Sequence, residues 1–325
     1  MLTAYMCRDG VLHADRSGLP DLLAEATWID LLAPTREEER VVETLLGIEV
    51  PTPEEMREIE TSSRLYRDGD AAVITLRVTN KSNVPAPLLV DVTFILTPSR
   101  LITLRYADPT PFRTFVARAE REGALMASAD SAAIGLMEAI IDRAADILEG
   151  IGDELGGLSS DIFAQDASVT AGPAKTDLGA VMKRIGRSGD LTSMVRESVH
   201  GLGRSLPFLR LESKGRLAPD VSARLDTLRR DTKSLLDHDA YLVGKIHFLL
   251  DSTLGLINIQ QNAIIKIFSV AAVIFLPPTL IASIYGMNFQ HMPELAWLLG
   301  YPWALGLMVV SAILPYWFFK RRGWL

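Results

Sequence analysis

The sequence predicts an α+β domain that leads, through one long stalk helix, into a C-terminal hairpin of two membrane-spanning helices. Three observations carry that expectation. Ile267 to Tyr285 and Trp297 to Phe319 are charge-free apolar runs separated by a short loop. Apolar residues from Val221 to Leu256 recur at seven-residue intervals, and no proline falls between Pro219 and Pro277. Residues 1–108, by contrast, mix short β-branched stretches with turn signals and helix caps.

In chain order, Leu2–Cys7 is a short extended segment that ends in a turn at Arg8-Asp9-Gly10, and Ala26–Asp30 is a second strand that stops before Pro34. Thr35 with Glu38 three residues on has the capping-box spacing, and Val41, Val42, Leu45 and Leu46 give that helix its apolar face. Thr52 with Glu55 repeats the signal, with Pro53 at the first helical position, and predicts a second helix to about Leu65. Ala72–Thr79 alternates as a strand. Leu88–Leu96 and Leu101–Arg105 read as a hairpin joined by Thr97-Pro98-Ser99-Arg100, and Asn80–Pro87 is a turn-rich connection.

From Asp108 onward the pattern is helical. Phe112–Glu122 is one helix. Ser131 to about Ala164 is a longer one, whose glycines at 150, 152, 156 and 157 are packing points rather than a ligand cradle. The polar stretch Gln165–Thr176 is either a loop or an interruption at Gly172-Pro173, and a third helical segment reaches about Gly203. Gly215 and Pro219 break the chain again.

The stalk follows. Val221, Leu228, Leu235, Leu242, Leu249 and Leu256 form one half of a coiled-coil seam; Leu225 and Ile246 occupy the other half, which Thr232, Asp239 and Thr253 interrupt. A single helix from Asp220 to Tyr285 would be roughly 100 Å long. The leucines either only pack helices within one subunit or also make the stalk a rigid lever into the membrane.

About twenty apolar residues cross a bilayer core, so each C-terminal run is long enough to span it. Their position argues against a signal peptide. Lys266 precedes the first span and Lys320, Arg321 and Arg322 follow the second, whereas the loop carries Glu294 and no Lys or Arg. The positive-inside rule places both the N-terminal mass and the basic tail in the cytoplasm. Trp297, Tyr301 and Trp303 at one end, and Tyr316, Trp317 and Trp324 at the other, suit an aromatic belt. The chain is thus expected to comprise a cytoplasmic α/β domain at 1–108, a helical region at 109–218, a stalk at 219–266, a first span at 267–285, an external loop at 286–296, a second span at 297–319 and a tail at 320–325.

Composition narrows the function. Forty acids against 33 bases give a formal charge of -7, which argues against a nucleic-acid surface and tolerates cation traffic. Cys7 is the sole cysteine and the five histidines are scattered, so neither a disulfide nor a thiolate metal cluster is expected. No phosphate loop, dinucleotide fingerprint, zincin motif or catalytic triad is present, and no organic cofactor is expected. Two spans alone enclose no polar path, so transport requires a closed ring of copies. The first span is the better pore lining. Asn262, Ser269, Leu276, Thr279 and Ser283 lie near one face on a seven-residue rhythm, and Pro277-Pro278 in mid-span can free a carbonyl or kink the helix. Small polar residues also serve close helix packing, which is the competing explanation of that face.

Tyr285 to Leu295, YGMNFQHMPEL, resembles the signature of the CorA-type magnesium and divalent-metal transporters. Asn258–Asn262 ahead of the span, Ile264–Pro278 within it and Tyr316–Leu325 at the end belong to the same resemblance, which is dense over 245–325. It implies a funnel-shaped homopentamer in the cell inner membrane, not an enzyme, whose pore carries Mg²⁺ inward down the membrane potential and also passes Co²⁺ and Ni²⁺. The selectivity mouth would be Gly286, Met287 and Asn288, with the pore lined by Asn262, Leu276 and Thr279. Phe268 matches a gate-region position, and Glu294 an acid that draws cations to the mouth. Family members close when intracellular Mg²⁺ occupies acidic sites. Asp251 matches an acidic position near the stalk–membrane junction, and Asp226 and Asp231 are stalk candidates for the same role. A zinc or cobalt/nickel carrier of the same superfamily, and a membrane-anchored sensor or scaffold, are the alternatives.

Overall fold

The computed structural model of this 325-residue chain describes residues 1–8, 10–80, 82, 87–163, 177–288 and 292–322. The expectations for Asp9, for most of the 80–87 connection, for 165–176, for Phe289–His291 and for Trp324 lie outside the described residues. The chain divides into two compact units, Met1–Leu250 and Asp251–Leu325.

The first unit opens with a seven-stranded mixed sheet. Its strands are β1 (Leu2–Arg8), β2 (Val11–Asp15), β3 (Trp28–Leu32), β4 (Leu65–Asp68), β5 (Ala71–Asn80), β6 (Leu88–Leu96) and β7 (Leu101–Arg105), in spatial order β2-β1-β3-β7-β6-β5-β4. Only the central β3–β7 pair is parallel. Side chains alternate between the faces. One face sends Leu2, Ala4, Met6, Ile29, Leu31, Val73, Ile95 and Ile102 into a core closed by Leu23 of α1 (Pro20–Glu25) and Val42 of α2 (Arg36–Leu46). Thr35 and Glu38 cap α2 reciprocally, as their spacing predicts.

The other face carries a buried polar chain. Trp28 Nε1 donates to Thr103 Oγ1 at 2.8 Å, and Thr103 donates to Asp30 at 2.7 Å. Arg105 grips both Asp30 oxygens from Nε at 3.0 Å and Nη2 at 2.8 Å, while its plane lies over the Phe112 ring of α4 (Thr110–Ala119). Burial works against the Arg105 charge, but the hydrogen bonds it donates to Asp30 and Asp108 hold its pKa above the ordinary value. The ion pair therefore survives burial and ties α4 to the sheet.

One expectation for this half needs correction. The helix expected from Thr52 to about Leu65 is only a 3₁₀ turn at Glu55–Arg57 and a four-residue α3 (Thr61–Arg64), followed by β4. The cap forms, with Thr52 and Glu55 exchanging hydrogen bonds. The turn then stops because Glu54, Glu55 and Glu58 crowd like charges on one face, and because buried Arg64 takes the Glu58 and Met56 carbonyls that a continuing helix would use. Strands β2 and β4 and helix α1 add to the sequence reading. β2 is an edge strand with mostly exposed side chains, so it lacks an apolar alternation.

Helices α5 (Ala129–Phe163), α6 (Leu178–Glu212) and α7 (Pro219–Tyr285) follow. α5 buries Met137, Ile141, Ala144, Leu148, Ile151, Leu155, Leu158 and Ile162, alternating steps of three and four. α6 buries Leu178, Val181, Ile185, Ser188, Thr192, Val195, Val199, Leu202, Leu206 and Leu209 with the same rhythm. Within the first unit α7 contributes Val221, Leu225, Leu228, Leu242, Ile246 and Leu249. This is heptad packing of three helices. Thr232 and Asp239, expected to interrupt the seam, are buried in it at 3% and 1% exposure. α6 also runs past the expected end near Gly203, through Pro207, because Leu206 and Leu209 continue its buried face.

The second unit holds the C-terminal part of α7 and α8 (Gly300–Arg321). The second run was expected to be helical from Trp297; a 3₁₀ turn at Pro293–Ala296 comes first, and the helix begins at Gly300. A Cβ at Gly300 would lie 2.2 Å from the Glu294 carbonyl oxygen, so this tight entry requires glycine.

Candidate functional site

Helix geometry puts Asn262, Ser269, Leu276 and Ser283 near one line of α7, each a heptad apart and drifting about 20° per step, with Thr279 beside them. All five are exposed. So are Ile259, Ile264, Ile265, Ile267, Phe268, Phe275 and Leu280. α7 and α8 are both long and apolar enough to cross a membrane, and their apolar windows are almost wholly unburied. A continuous exposed apolar surface of this extent calls for lipid or further protein around it.

Pro277 and Pro278 lie inside the helix. Lacking N–H groups, they leave the Val273 and Ile274 carbonyls without their helical donors. Thr279 donates its hydroxyl to the Leu276 carbonyl at 2.9 Å. The mid-span backbone therefore offers oxygen acceptors where an ordinary helix offers none.

The helix closes at Gly286, whose N–H donates to Ala282 O at 2.9 Å, and Met287 N–H follows with Ile284 O at 3.3 Å. A Cβ at Gly286 would stand 3.1 Å from Ala282 O, so the close turn favours glycine. Met287 and Asn288 are exposed. Among the described residues no hydrogen bond holds the Asn288 amide, so its oxygen is presented to whatever occupies the helix end. One chain supplies one such set; the arrangement has no coordination sphere of its own.

The acidic candidates separate. Asp226 is engaged by Arg210 and lies within 3.8 Å of Arg229. Asp231 acts electrostatically on Asp142 of α5, a residue sequence reasoning missed. Burial first, then Glu138, Asp146 and Asp231 against the opposing pull of Arg118, raises the Asp142 pKa. The signal was present, because Glu138, Asp142 and Asp146 are spaced four apart on one helix face. Asp251 is exposed in the second unit. Among the described residues no group of three or more His, Cys, Asp or Glu side chains is arranged to hold a metal. Glu294 sits in the turn before α8, and its carbonyl accepts from Trp297 N–H at 3.3 Å. At the other end of α8, Lys320 lies over Tyr316, Arg321 over Trp317 at 4.7 Å and Arg322 over Phe318. Cations laid along aromatic rings suit a membrane–water boundary.

Residues 24–321 match the family described as CorA-like Mg²⁺ transporter protein. The chain belongs to the CorA family. It is 35% identical over the full length of both chains to the magnesium transport protein CorA of Pasteurella multocida (strain Pm70), and 36% identical to that of Escherichia coli (strain K12). Among solved structures, the CorA magnesium transporter of Methanocaldococcus jannaschii superposes with a TM-score of 0.75, covering 100% of this chain and 99% of that one at 21% identity. The full-length CmaX protein gives 0.65 at 17% identity, covering 99% and 97%. At these identities the structural likeness is one of fold. It extends over the α/β part, the long helix and both C-terminal apolar helices. CorA proteins are transporters and not enzymes.

Proposed function

We propose that this chain carries Mg²⁺ into the cell through a ring of five copies in the inner membrane. The observation that carries the reading is the exposed end of α7. Gly286, Met287 and Asn288 close an apolar, unburied helix in a chain that is one-third identical throughout to proteins named as magnesium transporters. In the ring, α7 lines the pore with Asn262, Ser269, Leu276, Thr279 and Ser283, Phe268 lies in the gate region, and α8 stands outside it. Lys266 and Lys320–Arg322, against Glu294 in the loop, support a cytoplasmic N-terminal mass and basic tail with the 286–296 loop outside.

Mg²⁺ gives up water reluctantly and prefers oxygen. Asn288 amide oxygens and loop carbonyls hold it through its hydration shell, and neutral donors release a doubly charged ion that carboxylates would trap. Glu294 raises the local cation concentration at the mouth. The Leu276 and Phe268 positions constrict the path with apolar side chains, so conduction depends on wetting. The driving force is the membrane potential, about 2.3 kcal/mol per charge per 100 mV and roughly twice that for a divalent ion. Co²⁺ and Ni²⁺ pass by the same hydrated route. Intracellular Mg²⁺ closes the ring by neutralising acids on the stalk. Asp226 is already paired with arginine, so Asp231 beside Asp142, and Asp251, are the favoured positions for that regulation.

The test is growth of a magnesium-requiring host on limiting Mg²⁺, with membrane abundance matched. The wild type restores growth and Asn288→Ala reduces initial Mg²⁺ uptake at least about tenfold, the loss of a contact worth about 1.4 kcal/mol or more. Equal uptake by both would overturn the assignment of the mouth. Uptake of Zn²⁺ without Mg²⁺ would overturn the choice of ion.

A further inference from the structure

We propose that Asp239 is a positioning residue: buried in the α6–α7 seam and held by Arg196, it fixes the rotation of α7 against α6, and transport depends on that fixed rotation. This rests on the transport reading above.

Four residues of α6 recur every seven positions, Gly189, Arg196, Gly203 and Arg210. They meet α7 in antiparallel order. A Cβ at Gly189 would lie 3.9 Å from Ile246, Arg196 holds Asp239, a Cβ at Gly203 would lie 3.4 Å from Thr232, and Arg210 holds Asp226. Glycine stations let the helices close up; arginine stations reach across to an acid. The two arginine stations differ in kind. Arg210 and Asp226 are both about two-fifths exposed, an ordinary surface pair. Arg196 is 39% exposed, whereas the Asp239 side chain is 2% exposed.

Two buried threonines of these helices satisfy themselves within their own helix. Thr232 donates to Leu228 O and Thr192 to Ser188 O, both at 2.7 Å. A carboxylate cannot do so. Asp239 Oδ2 accepts from Arg196 Nε, and Oδ1 is buried with no hydrogen-bond partner among the described residues. The register it occupies holds Leu225 and Ile246 and the uncharged Thr232 and Thr253, so Asp239 is its one carboxylate. An apolar residue there extends the seam, and exchanging a buried charge for one is often neutral or stabilising. A buried polar group in a heptad seam, kept at a cost in stability, is a known means of fixing one helix arrangement. The same helix continues through Asn262 and Leu276, which the transport reading puts in the pore lining.

The test uses the full-length chain with Asp239→Leu, Asp239→Asn and Arg196→Ala. Three quantities are read: the thermal midpoint in detergent, Mg²⁺ uptake at matched membrane abundance, and disulfide formation between Gly203→Cys and Thr232→Cys in a Cys7→Ser background. Asp239→Leu should raise the midpoint by about 2–4 °C, lower uptake about fivefold and slow the cross-link. Asp239→Asn, which keeps an acceptor for Arg196, should retain most of the uptake. Arg196→Ala should lower the midpoint, because it strands the buried carboxylate. A lower midpoint for Asp239→Leu, or a raised one with uptake and cross-linking unchanged, would overturn the proposal. A wild type without uptake would instead overturn the transport reading, and the cross-linking rate would still decide whether Asp239 positions α7.

Discussion

Leu249 and Leu276 lie on the same helix and have opposite surroundings. Leu249 is fully buried among α5–α7, and Leu276 is 64% exposed. The contrast extends to their neighbourhoods. Up to Leu249, α7 follows a heptad, with apolar residues inward and Arg224, Arg229 or Asp226 outward and paired. From Ile267 the helix is apolar on every side and keeps only Ser269, Thr279 and Ser283 as polar side chains before Tyr285. Helical backbone is common to both stretches; what differs is the medium each requires. The first is specified by partners in its own chain, whereas the second is apolar and almost wholly unburied among the described residues.

The largest effect should come from breaking specification in the first region. Asp30→Ala leaves Arg105, 7% exposed, without its bidentate partner. Loss of one member of a buried ion pair costs about 3–5 kcal/mol, enough to remove most of the protein from the membrane fraction. Asp30→Asn, which still accepts from Thr103 and Arg105, should cost clearly less. Membrane abundance and thermal unfolding of the full chain measure both. Equal behaviour of the two variants would mean that the charge at this site is immaterial.

The leucine pair tests the comparison itself. Leu249→Ala should cost about 2–5 kcal/mol of stability by leaving a cavity. Leu276→Ala should stay within about 0.5 kcal/mol yet change Mg²⁺ flux if Leu276 takes the pore-lining position proposed for it. Thermal midpoints and uptake rates at matched abundance separate the two. Leu276→Ala that destabilises as strongly as Leu249→Ala would dissolve the distinction between the regions.

What could be read in advance follows the same division. The β6–β7 hairpin is found at Leu88–Leu96 and Leu101–Arg105 as expected, because alternation and a Thr-Pro-Ser-Arg turn are local signals. α5 and α7 were legible from long apolar periods. α6 was only partly so. Ser188, Thr192, Ser198 and Ser205 occupy its buried face, and such hydroxyls satisfy themselves on their own helix carbonyls, as Thr192 and Ser205 do. They hide the heptad from a reading that counts apolar residues. The Gly-Met-Asn segment that ends α7 was legible because it is contiguous. The approach of Asp142 to Asp231, and of Arg196 to Asp239, was not, because each joins two helices far apart in sequence.

The smallest prediction sharpens the contrast through pH. Ile267 to Ile284 contains no ionisable side chain, so acid should leave that stretch untouched, whereas the first unit has Glu38 at its N-terminal edge. Burial pushes the Glu38 pKa up, but hydrogen bonds from Thr35 and Leu2 and contact with the N-terminal ammonium outweigh it and leave the pKa below the usual carboxylate value. A depressed folded-state pKa means that Glu38 contributes stability above its unfolded pKa, near 4.3, and loses it as pH falls through the lower folded value. Glu38→Gln should therefore lower stability at pH 7 by about 1 kcal/mol or less. The gap between wild type and variant should close as pH drops below about 4. Thermal midpoints of both proteins between pH 7 and pH 3.5 read this directly. A gap that stays constant across the range would show that the capping geometry acts at this edge without its charge.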